Sequence, residues 1–230
     1  MPGMKFELTN DEHKYREPTE FCDCDHPDII AKANELTENA ADTKTMALTI
    51  FRFVRDQIKF MLSDFVPASE TLKRGIGDCG NKTNLQVAFL RALNFQARFH
   101  VVELSKDSLK GIVSDVVYQQ MPDVIEYHPW CECYLNQKWI SCETLFDRPL
   151  IEGIYKREIF TIDEIPTIEW DGRNDLIITR PWIIRGKGTF FSLDELLQDI
   201  QEPYHPPEMK AQIEALINQS NQYTNSLREL

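Results

Sequence analysis

Apolar residues recur at helical spacing in two successive stretches near the N-terminus. In "DHPDIIAKANELTENA", Ile29, Ile30, Ala33, Leu36 and Ala40 follow Pro27, which stands where a first helical residue belongs, with Asp25 or His26 ahead of it. In "DTKTMALTIFRFVRDQIKFM", Met46, Ile50, Phe53, Val54, Ile58 and Met61 form one stripe behind Asp42, a natural N-cap. Two helices packed on each other are predicted. Residues 63–78 mix polar positions with Pro67, Gly75 and Gly77 and read as a loop. From Asn81 to Leu93 the apolar positions wrap most of the circumference, which predicts a central helix with neighbours on several sides. Asn94 suits the left-handed residue that ends such a helix.

The pattern then changes period. "QARFHVVEL" and "EYHPWCECYLNQKWISCETL" alternate in the manner of strands, and the short "NQK" between Leu135 and Trp139 suits a hairpin turn, so antiparallel strands should pack on the central helix. Ser105 to Asp123 reads equally as a short helix or an ordered loop. Beyond Asp147 the signal weakens into short mixed stretches such as "DLIITRPWIIRG". It recovers in a helix at "SLDELLQDI" capped by Ser192 and, after the break "EPYHPP", in a closing helix from Pro207 to Leu227 with Met209, Ile213, Leu216 and Ile217 on one face. The fold class expected is α+β: residues 1–150 as one core with N-terminal helices, and residues 151–230 as an extension packed on the same domain.

With 230 residues the chain is long enough for one well-buried core. Its net charge of -12 repels phosphate backbones and anionic lipid, so neither nucleic acid nor a membrane is expected as partner. No apolar run has the length of a signal peptide or a membrane span, which predicts a cytoplasmic protein whose six cysteines are reduced. Each cysteine is then filler, ligand or nucleophile.

Cys79 stands apart, in "RGIGDCGNKT", at the start of the central helix. The free N–H groups and positive dipole end of a helix favour thiolate, which predicts a lowered pKa, while Asp78 can cap the helix and Gly75, Gly77 and Gly80 permit close approach of backbone or substrate. Thiol acyl chemistry also needs an imidazole and an acceptor that orients it. His128 opens "HPWCECYL" and Glu143 ends the neighbouring strand, so a hairpin can bring both to one edge. His100 competes for the base role; His13 and His205 carry no signal. Zinc on Cys22, Cys24, His26, Cys131 and Cys133 has the wrong spacing, and strand alternation instead places Cys131 and Cys133 in the core, opposite His128 and Trp130. Trp130 and Trp139 fit core positions better than site positions. Neither metal nor cofactor is expected.

The blocks "GIGDCGNKTNLQVAFLRALNFQARF", "HPWCECYL" and "KWISCETLFD", in that order, resemble the transglutaminase-like superfamily of papain-related thiol enzymes, from about Asp25 to Asp147. The resemblance implies a papain-like α+β core and a triad of Cys79 as nucleophile, His128 as base and Glu143 as the orienting acid, where the family usually has aspartate. The longer side chain would require backbone or ring to shift by about an ångström, and Asp147 is a second candidate. The implied activity is acyl transfer on a protein or peptide-like amide, hydrolysis being favoured over cross-linking. The oxyanion would be held by the Cys79 N–H and an upstream donor, for which Gln57 is a weak candidate. The alternative is a binding or scaffolding module that has lost catalysis.

Overall fold

The computed structural model describes residues 13–200 and 207–230, so "EPYHPP" and His205 lie almost wholly outside the described residues. Helices α1 (Pro27–Thr37) and α2 (Thr43–Gln57) start as the sequence predicts. The His26 ring accepts from the Asp28 N–H, and the Asp42 carboxylate accepts from the Thr45 N–H at 2.7 Å. Helix α2 stops short of Met61, however, because Lys59 and Phe60 extend into strand β1. The predicted loop over 63–78 contains helix α3 (Ala68–Arg74) and the short strand β2 (Ile76–Gly77). Pro67 and Gly75, the residues that read as loop, punctuate that helix: Pro67 precedes it and Gly75, at φ 66°, ends it in the left-handed conformation. Strands β1 and β2 pair in parallel, so the chain enters the next helix from a fixed backbone.

That helix, α4 (Cys79–Ala92), is the axis of the molecule. Gly80 to Arg91 are all buried, as expected of a helix apolar around its circumference, and it touches α1, α2, α3 and the sheet. Asn94 then takes φ 65°. The sheet consists of β3 (Ala97–Ser105), β4 (Val124–Leu135), β5 (Lys138–Ser141) and β6 (Ile183–Phe190) in the antiparallel order β5-β4-β3-β6. Asn136 and Gln137, both at positive φ, form the two-residue turn that fixes the β4–β5 register. Pleating puts Cys131 and Cys133 into the main core against α4 and His128 and Trp130 on the opposite face, as the alternation predicts.

Between β3 and β4 lie a 3-10 turn (Lys106–Leu109) and helix α5 (Asp115–Gln120). The weak signal beyond Asp147 hides helix α6 (Arg148–Lys156), capped by Asp147 through the Leu150 N–H. Helix α7 (Leu193–Asp199) has the expected Ser192 cap. The closing helix α8 (Pro207–Leu227) forms as read but docks differently: Ser220, Thr224 and Leu227 are buried, while Met209 is exposed. Leu227 and Tyr223 pack on the main core, and polar contacts accompany them. Asn221 donates to and accepts from the Leu62 backbone, Ser220 accepts from the Ser114 N–H, and Thr224 donates to the Ile112 carbonyl. Arg228 closes on Asp147 at 2.6 and 2.9 Å. Burial works against the Asp147 carboxylate, but Arg228 outweighs it and holds the group below the usual carboxylate range.

Helices α6 and α8 approach so closely at Gly153 that a Cβ there would overlap the Leu227 carbonyl oxygen, a backbone atom that cannot rotate away. Gly153→Ala should therefore cost about 2–3 kcal/mol and lower Tm by roughly 5–10 °C in a thermal melt, whereas Gly186→Ala, where a Cβ meets nothing within 4 Å, should leave Tm within about 2 °C.

Candidate active site

Asp78 caps α4 by accepting from the Asn81 N–H at 2.9 Å, which leaves Cys79 as the first helical residue. Cys79 is half-buried; the other five cysteines are buried, and all six are free thiols. His128, on β4, is buried, and its Nε2 lies 2.8 Å from Glu143 Oε1. Nε2 is thus engaged by Glu143, which leaves Nδ1 as the other ring nitrogen. Cys79 and His128 line one cavity of about 190 Å³. Cys79 and Glu143 also border a tight crevice.

Glu143 is positioned from several directions. Its own N–H donates to the Leu176 carbonyl, and its carboxylate accepts from the Thr179 N–H and hydroxyl, each at 3.0 Å. The extra methylene of glutamate is thus accommodated with a normal hydrogen bond to the ring. Thr179 is fully buried and lies 36 residues away in a stretch with little local signal, so sequence reading had no means of finding it. Asp147 does not reach the histidine: it caps α6, accepts from the Phe60 N–H and pairs with Arg228. Gln57 ends α2 in an exposed position and does not line the cavity, which removes it as an oxyanion donor. The Cys79 N–H, in the first turn of α4, has no intrahelical acceptor.

The other histidines and thiols have separate roles. His100 lies 3.0 Å from Glu132 and stacks on Trp130, with ring centroids 4.6 Å apart. Trp130 is buried and Trp139 packs against Tyr15 and Tyr134; neither lines the cavity. Cys22 and Cys24 are buried while His26 is spent on the α1 cap, and no three or more acidic, cysteine or histidine residues among the described ones are arranged to hold a metal. Gly77 and Gly80 serve the protein's own packing, a Cβ on Gly77 meeting the Asn81 side chain. A Cβ on Gly80 would strike the Phe65 ring, which itself lines the cavity.

Side chains of α4 hold the constellation together. Thr83 donates to the Pro129 carbonyl beside His128, and Gln86 donates to the Cys142 carbonyl and accepts from the Thr144 hydroxyl, on either side of Glu143. Lys82, also buried, donates to the carbonyls of Arg55 and Ile58 at the end of α2; burial lowers its pKa to about 7, against the pull of Asp147. These bonds tie the cysteine helix, the histidine strand and the glutamate segment into one body.

A sequence profile described as the transglutaminase-like superfamily matches residues 30–144, half of the 230 residues. The chain belongs to the transglutaminase-like superfamily. No curated protein matches the sequence. Among solved structures the fold is similar to that of a "putative cysteine protease" from Cytophaga hutchinsonii, with a TM-score of 0.54 and 14% identity over 82% of this chain. The match spans 50% of that structure, so this chain corresponds to half of its length.

The electrostatics depart from expectation in one respect. Cys79 is pushed well above the usual thiol pKa, first by burial and then by the charges of Asp78 and Glu143, so the helix N-terminus does not prevail. Burial likewise raises Asp78 to about 6, against the helix N–H groups that stabilise its charged form. Above pH 6 Asp78 carries a negative charge beside the sulfur and disfavours thiolate. Asp78→Asn retains a capping oxygen and removes that charge, so the pH profile of Cys79 alkylation by iodoacetamide should move to lower pH; a profile that stays in place or moves upward would refute this account.

Proposed function

We propose that this protein is a cysteine-dependent acyl-transfer enzyme that hydrolyses a protein or peptide-like amide. The supporting observation is the 2.8 Å contact of His128 Nε2 with Glu143, combined with a cavity that His128 shares with Cys79. With the resting thiol protonated, sulfur attacks the carbonyl carbon as its proton passes to His128 Nδ1. The oxyanion forms against the Cys79 N–H. On collapse the C–N bond breaks and the leaving amine takes the proton from His128. Water then attacks the thioester, giving a proton to His128, and the product acid departs as the proton returns to sulfur. Glu143, braced by Thr179, orients the ring and stabilises its cationic form. Hydrolysis is preferred to cross-linking because water is always present and no acceptor-amine site is apparent among the described residues.

The raised thiol pKa favours a second reading, a binding module on the same fold whose cysteine is inert. Activity on fluorogenic peptide amides separates the two. Cys79→Ala should abolish turnover, His128→Ala should lower kcat by about 10²–10⁴, and Glu143→Gln should lower it less, since glutamine retains one acceptor oxygen. Asp147→Asn should lower Tm by loosening the Arg228 contact without a comparable loss of kcat. Full turnover in the Cys79→Ala protein would exclude the thiol route.

A further inference from the structure

The cavity at Cys79 and His128 carries information about what reacts there. Its wall beyond the sulfur and the ring is mostly apolar, with Phe60, Leu62, Leu104, Leu109, Ile125 and Leu145 offering no side-chain hydrogen-bonding group; Asp78 also lines it, its carboxylate held by the Asn81 N–H. Tyr127 also borders it, but its hydroxyl is bound to Asp199, at 3.1 Å from the carbonyl and 3.0 Å from the carboxylate. Ser108 contributes a further hydroxyl to this wall. The volume of about 190 Å³ exceeds the roughly 150 Å³ of an engineered apolar cavity that holds a benzene ring. A branched aliphatic or aromatic side chain therefore fits, while an anionic group would meet the Asp78 carboxylate and a carboxamide would lose water against a mostly apolar wall. Because the cavity is bounded by the sulfur and the ring themselves, its occupant is attached close to the reacting carbon.

We propose that the cavity is an acyl-side specificity pocket and that the substrate is a peptide amide whose carbonyl is donated by a residue with a leucine-, methionine- or phenylalanine-sized apolar side chain. This rests on the acyl-transfer reading above. A wider cleft of about 580 Å³ shares Phe65 and Asp78 with the pocket and has Ile213 and Ile217 of α8 on its border, which gives the remaining peptide a path.

The test uses peptidyl vinyl sulfones differing only in the side chain beside the vinyl group: leucine, glycine, glutamine or aspartate. The Cys79 sulfur adds to the vinyl carbon joined to the side-chain-bearing carbon and the sulfone-bearing carbon takes a proton, so nothing leaves, and the adduct is read by mass spectrometry of the full chain. The leucine probe should react about tenfold or more faster than the glycine probe, and faster still than the glutamine and aspartate probes. Met121 also lines the pocket; Met121→Trp should collapse the leucine-to-glycine ratio, and Met121→Leu should largely keep it. Equal rates for all four probes, a preference for glutamine or aspartate, or an unchanged ratio in Met121→Trp overturns the pocket assignment and leaves acyl transfer standing. If iodoacetamide modifies Cys79 but none of the four probes does, the acyl-transfer reading falls and the pocket assignment with it.

Discussion

The structure depends on the hydrogen bonding of a buried helix whose polar side chains have no access to water. Thr83 and Gln86 on α4 must find partners inside the protein, and the partners they find are the backbone beside His128 and both flanks of Glu143. An unmet buried amide or hydroxyl costs about 1–3 kcal/mol, so these contacts act as constraints on the fold. The same residues that keep α4 buried also set where Cys79 lies relative to the histidine strand.

Burial sets the chemistry as well as the geometry. A helix N-terminus favours an anion, but desolvation and two nearby carboxylates act in the opposite direction on Cys79, and they prevail. Both effects favour the protonated thiol at rest. In the proposed reaction the proton would pass to His128, whose acidic partner is held by several hydrogen bonds. Glu143 bonds to Thr179 through both carboxylate oxygens while also meeting the ring.

The C-terminal third lies beyond the matched segment of the superfamily yet supports the candidate site. It supplies Thr179 behind Glu143 and β6 at the edge of the sheet. Asn221 and Arg228 secure the backbone of Leu62 and Phe60, two residues that line the cavity. Helix α8 does this with polar contacts, one glycine-permitted close approach and its C-terminal Tyr223 and Leu227 rather than with the apolar stripe visible in its sequence, of which Ile213 and Ile217 instead border an open cleft.

Local features were readable directly from residue types. Asp42, Asp78 and Ser192 cap their helices because a short polar side chain meets the free N–H groups of its own first turn, a contact made within a few residues. Asn94 and the Asn136–Gln137 turn likewise follow from local backbone preferences. The helix at 68–74 was missed because proline and glycine punctuate both loops and helices, and only packing against α4 decides between them. The convergence of Cys79, His128 and Glu143 on one region was anticipated from hairpin geometry and family resemblance. Thr179, the spending of Asp147 on Arg228 and the raised thiol pKa were not. Each of these depends on distance and solvent exclusion between segments far apart in the chain, quantities that exist only after the chain has folded.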